Sequence, residues 1–165
     1  MPFSYDTNTQ TIVDLLKAHN TTTATPDLSE SLGRRVKNIL GNDPGVFNAR
    51  VDQLPAIYCW PVSADEEYAG IGSTGPSGAR KEKVVNYNLL GVYYREGLTN
   101  KHSDALVEIY KLAENIEGVF QQEMDLSGTA LFVRTVSTDF APSGEFEGVI
   151  AKGVLVNLQV LYHFR

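Results

Sequence analysis

The chain has 165 residues and a formal net charge of −6, the size of one ordinary domain, able to bury roughly two thirds of its unfolded surface without metal or disulfide support. Its single cysteine, Cys59, excludes an internal disulfide and a cysteine-based zinc site. The acidic balance argues against a general nucleic-acid binder, which needs lysine and arginine on phosphates, but suits a surface that DNA passes without being gripped.

No apolar run approaches the ~20 residues that span a bilayer. The N-terminal segment has neither a basic start nor an apolar core, so neither a secretory signal nor a membrane partner is expected. Asn20-Thr21-Thr22 matches a glycosylation sequon, a short pattern that arises by chance. No internal repeat is visible, and a single domain over residues 1–165 is expected.

In chain order, a first helix is predicted over residues 9–19, with Ile12, Leu15 and Leu16 on its buried stripe. A polar stretch, 20–25, leads to Pro26. A second helix is predicted over 27–40. Asp27 is a good N-cap, Glu30 stands three residues on as in a capping box, and Gly41 follows the last turn. Leu32, Val36, Ile39 and Leu40 give it an apolar face. The first strand, 56–62, opens after Leu54-Pro55, and Pro61 places it toward a sheet edge. A long loop, 63–80, holds four glycines and Pro76, and its length and composition predict mobility in the isolated chain.

The second strand, 82–95, is rich in Val, Tyr and Leu. A third helix over 103–123 carries Leu106, Ile109, Leu112, Ala113, Ile116, Val119 and Phe120 at three- and four-residue spacing. Two strands follow, 130–140 and 148–164, the latter alternating Val154, Val156, Leu158, Val160, Tyr162 and Phe164 onto one face. Residues 141–147 join them as a hairpin. The expected fold is α+β, order α-α-β-β-α-β-β, with an antiparallel four-stranded sheet packed against helices.

Chemistry-bearing patterns are weak. Gly70-Ile71-Gly72-Ser73-Thr74-Gly75 matches the dinucleotide fingerprint, but that site needs a helix N-terminus directly after it, and here a strand is expected instead. Cys59 beside Trp60 in an alternating strand reads as a small buried hydrophobe rather than a nucleophile paired with His102 or His163. His19, His102 and His163 show no ligand spacing. Asp65-Glu66-Glu67 reads as a solvated acidic run rather than a calcium site. Arg80, Lys81 and Lys83, at the far end of the same loop, read either as a hairpin stem with cross-strand charge pairing or as a contact for an acidic partner. No catalytic, metal or cofactor residue is assigned and no cofactor is expected. A surface formed by Tyr68, Gly70, Gly72, Arg80, Lys81 and Lys83 is the candidate partner interface. Self-association is expected from the edge implied by Pro61 and from the aromatic strand carrying Tyr87, Tyr93 and Tyr94.

The helix pair, the strand opened by Leu54-Pro55-Ala56-Ile57, the long loop, the helix around Leu106 to Phe120 and the final strand around Val154 to Tyr162 together resemble the tail terminator, or tail completion, proteins of long-tailed bacteriophages. The resemblance is one of layout over nearly the whole chain, with one short motif. It implies a non-enzymatic virion protein of the neck, made in the host cytoplasm. Six copies would form a ring on the last ring of tail tube protein, end tube growth and dock to the head connector or stopper. In a contractile phage the ring would also meet the tail sheath. DNA would pass through the ring without specific binding. Another neck component, a stopper or head-completion adaptor, and an unrelated small α+β ligand-binding module are the alternative readings.

Overall fold

The computed structural model describes residues 3–28, 36–43, 54–69, 80–95, 102–140, 144–146 and 149–164. The first helix, α1 (Tyr5–Ala18), starts four residues before the expected position. The Ser4 side chain caps it by accepting from the Thr7 N–H, which satisfies one of the donors orphaned at a helix start. Asp6 lies in the first turn and Lys17 in the last, each favourable toward the helix dipole. Ile12, Val13 and Leu16 form its buried face.

Residues 19–28 fold back and close on themselves. Leu28 N–H donates to the His19 carbonyl, and His19 Nδ1 lies 2.9 Å from the Pro26 carbonyl oxygen. The Asn20 side chain then reaches Val36, accepting from its N–H and donating to its C=O.

The expected second helix requires correction. Residues 29–35 lie outside the described residues, but Asn38–Leu40 is a strand, β1, not the end of a helix. It pairs parallel with β2 (Ala56–Ala69), Ile39 opposite Ile57. The three- and four-residue spacing of Val36, Ile39 and Leu40 fits a helix as well as a strand, and the pairing decides between them. The β2 strand runs seven residues past the expected end at Val62, and β3 (Arg80–Arg95) begins two residues early. The two pair throughout as far as Ala69 opposite Arg80. The part of the expected loop at 63–69 is therefore strand, and 70–79 lies outside the described residues.

The long helix is α2 (His102–Gln122), within a residue of expectation at either end. A turn through Leu126, Ser127 and Gly128, all at positive φ, leads into β4 (Phe132–Phe140). The short β5 (Gly144–Phe146) lies within the expected hairpin loop, and β6 (Val149–Phe164) follows. The fold is α+β, but the sheet is mixed rather than four antiparallel strands, because β1 joins it in parallel. Its order is β1-β2-β3-β6-β4, with β5 pairing β6 alongside β4.

Both described helices pack on one face of this sheet. Ile12 and Leu16 of α1, and Ile109, Leu112, Ile116, Val119 and Phe120 of α2, share one core with Cys59, Tyr87, Leu89, Val156, Leu158 and Val160. Full burial of each such aliphatic side chain contributes about 1.5–3 kcal/mol against the chain entropy. The α2 helix packs tightly at Gly91, where a Cβ would stand 2.9 Å from Leu112 Cδ2 and 3.2 Å from Val154 Cγ1. Glycine there lets the helix settle onto β3 and β6.

Candidate assembly surface

The expected interface at the β2–β3 hairpin is only partly within view. Gly70 and Gly72 lie outside the described residues. Tyr68 and Arg80 are placed by their backbones alone, Tyr68 opposite Lys81 and Arg80 opposite Ala69. Lys81 and Lys83 are committed within the chain. Lys81 Nζ is 2.9 Å and Lys83 Nζ 3.3 Å from the two carboxylate oxygens of Glu66. Lys83 also sits 4.6 Å above the Phe3 ring. The hydrogen bond from Lys81, together with Lys83, holds the Glu66 carboxyl below its ordinary range. The two lysines and Glu66 form the cross-strand charge pairing that the pattern of alternating charges allows.

The aromatic strand does not stand at an edge. Tyr87 and Tyr93 are buried on β3, between β2 and β6. Tyr87 and Tyr162 bring their hydroxyls within 3.3 Å of each other inside the core. Burial pushes the Tyr87 hydroxyl up to about 12 and raises Tyr162 as well. Cys59 is fully buried and its thiol is pushed up to about 12 by the same desolvation. A thiol held neutral and shielded from water is no nucleophile at physiological pH. His163 lies instead on Glu82, at 2.7 Å. No group of three or more His, Cys, Asp or Glu among the described residues could hold a metal ion, and no described helix is long and apolar enough to cross a membrane. The dinucleotide-like glycines fall outside the described residues, and the next described element is β3, a strand.

No family model matches the chain, and no curated protein matches it either.

The face of the sheet away from the helices carries a polar belt. Asn86 Nδ2 donates to Ser63 Oγ at 2.9 Å, and Gln159 Nε2 donates to Asn86 Oδ1 at 3.3 Å. Arg134 donates to Gln159 Oε1 from Nε at 2.9 Å and from Nη2 at 2.6 Å. The belt crosses four strands and satisfies its amides laterally. Next to it, Asn157 Nδ2 donates to Ser137 Oγ at 2.7 Å.

A group of exposed apolar residues gathers on the β4 side of the sheet. Leu131, Phe132, Val136 and Phe140 are all exposed on or beside β4, and Tyr110 of α2 meets Phe140 edge to face with ring centres 4.9 Å apart. Among the described residues no strand pairs with the outer edge of β4, and β2 is paired outward only at Ala56, Ile57 and Tyr58. The β4 edge was not among the expected interface elements. Its signal was present: Phe132, Val133, Val136 and Phe140 break the two-residue alternation that a strand with one wet face should keep.

Proposed function

We propose that this chain is the tail terminator of a long-tailed bacteriophage. Copies form a hexameric ring on the end of the tail tube, stop its growth and present a docking face to the head connector or stopper. The observation that carries this reading is the single sheet in which, among the described residues, β4 on one side and β2 beyond the reach of β1 on the other have no outer partner. A head-to-tail contact between unlike edges closes into a ring when its rotation closes, and closure removes both edges. The layout of α1, the strand after Leu54-Pro55, the long α2 and the final strands supports the same reading. The net charge of −6 suits a channel that DNA traverses without being held. The protein would act in the virion neck after assembly in the host cytoplasm, and in a contractile tail it would also meet the sheath.

Tube polymerisation repeats one heterologous contact and has no geometric end of its own. Electron micrographs of a lysate lacking this protein should show filled heads without tails beside free tubes of irregular, excessive length. Loss of a stopper would instead leave tails of normal length and heads that lose DNA. Free tubes of one normal length would reject the terminator assignment.

A further inference from the structure

The β2 and β4 edges share an irregularity. The register of β2 against β3 shifts between Pro61 and Ser63, with Val62 as the extra residue, and that of β4 against β6 shifts between Thr135 and Ser137, with Val136 as the extra residue. Pro61, Tyr87, Leu158 and Thr135 stand in one cross-strand row. The two bulges therefore flank the same row from opposite sides of the sheet. Each displays a valine that is 57% exposed. A bulge ordinarily protects an edge, most often together with a charge such as lysine. Here the bulged positions are apolar, so they discourage a flat, unmatched strand and favour one bent at the same level.

We propose that the occupant of the β4 edge is a second copy of this chain, whose β2 residues 59–65 pair antiparallel with β4 residues 132–138. The inference rests on the ring reading above and names the joint that closes the ring. Strand direction supports it. β2 is antiparallel to β3, β3 to β6 and β6 to β4, so β2 and β4 run oppositely within one copy. Rotation about an axis along the strands preserves direction and level. It therefore brings β4 of one copy beside an antiparallel β2 of the next, with Thr135 opposite Pro61. The extent also fits. Among the described residues β2 is covered on its outer side only at 56–58, and levels 59–65 of β2 are those that 132–138 of β4 occupy across the sheet. Pro61 has no N–H to offer at its row, which puts the loss of one ladder bond where both strands already bend.

The joint is heterologous, so each edge can be blocked alone. Native mass spectrometry of the full-length protein should find a closed multiple of the 18.1 kDa chain. Val136→Lys and Val62→Lys place a charge in the joint from opposite sides, and each should weaken assembly at least about tenfold. Both valines are exposed, so the fold should survive. Phe132→Lys and Ala64→Lys repeat the test on the same edges if either valine variant fails to fold. The decisive sample is a mixture. Each variant keeps one intact edge, so together they should form one-to-one dimers and nothing larger. Dimers of Val62→Lys alone would mean that β4 pairs with β4 and would overturn the proposal. A mixture that stays monomeric, or a wild-type chain that is monomeric at every concentration, would overturn it too. A ring that persists in both variants would overturn the edge pairing while leaving the ring reading standing. That reading is judged separately by tube length in the lysate.

Discussion

The buried trio of Cys59, Tyr87 and Tyr162 should make the protein unusually sensitive to alkali. Each group keeps its proton in the folded chain at a pH where the unfolded chain has lost it, so folding stability is complete below the unfolded values and is lost as pH rises above them. The ordinary values are 9.0 for the thiol and 10.0 for the phenols, whereas Cys59 and Tyr87 are pushed up to about 12 and Tyr162 is also raised. Each titrating group costs about 1.4 kcal/mol per pH unit. Between pH 9 and pH 10 only the thiol contributes. Between pH 10 and pH 11 all three do, at roughly 4 kcal/mol per unit, for a total near 5 kcal/mol. That loss matches the whole stability of a marginal domain, about 5–15 kcal/mol. Urea unfolding followed by far-ultraviolet circular dichroism at a series of pH values gives the curve directly. In Cys59→Ser the fall should begin about one pH unit later, on top of a constant loss of about 1–3 kcal/mol from burying the hydroxyl. A urea midpoint that stays flat from pH 8 to pH 11 would refute the reasoning, as would a Cys59→Ser curve that starts its fall at the same pH as wild type.

Asn20→Ala should cost roughly 2–4 kcal/mol, because it leaves both the N–H and the C=O of buried Val36 without their partner; Asn20→Asp should also destabilise, since a carboxylate would face the Val36 carbonyl, and unchanged thermal midpoints in both would disprove the role. Glu66 should protonate below the usual carboxylate range, so the favourable charge pairing with Lys81 and Lys83 is present at neutral pH and fades as the solution is made acid. In Lys81→Met the carboxyl should titrate at higher pH in an NMR titration, and an unmoved titration would show that the ammonium is not the cause.

The sequence revealed the long-range periodic elements and missed those that depend on a neighbour. In α2 the apolar residues recur at helical spacing over the whole helix, so the pattern alone located it. In β6 the alternation from Val154 to Tyr162 did the same. The extension of β2 was missed because Ser63, Ala64, Asp65, Glu66 and Glu67 have weak strand preference; β3 holds them in strand geometry by pairing, with Glu66 bound to two of its lysines. β1 was missed because three residues carry too little pattern, and its pairing with Ile57 depends on chain far away in sequence. The first turn of α1 is polar and depends on the Ser4 cap. The same limit applied to the assembly surface. Pro61 pointed toward a sheet edge, and among the described residues β2 has no outer partner beyond β1. The aromatic strand misled, because a run of Val, Tyr and Leu reads alike whether a strand is central or marginal, and only the position of β6 beside β3 decides.

That position of β6 has a consequence during synthesis. It is the last of the described strands to leave the ribosome, yet it stands between β3 and β4 and supports α2. The β2–β3 hairpin can form as soon as Arg95 has emerged. From then until residues 149–164 are free, however, one side of β3 and the part of α2 that packs on β6 have no partner. Such late, non-local closure slows folding and prolongs the exposure of apolar surface. Nascent chains would be at their most adhesive in that interval. The emergence of β6 thus controls when the sheet, and any joint built on its edges, comes into being.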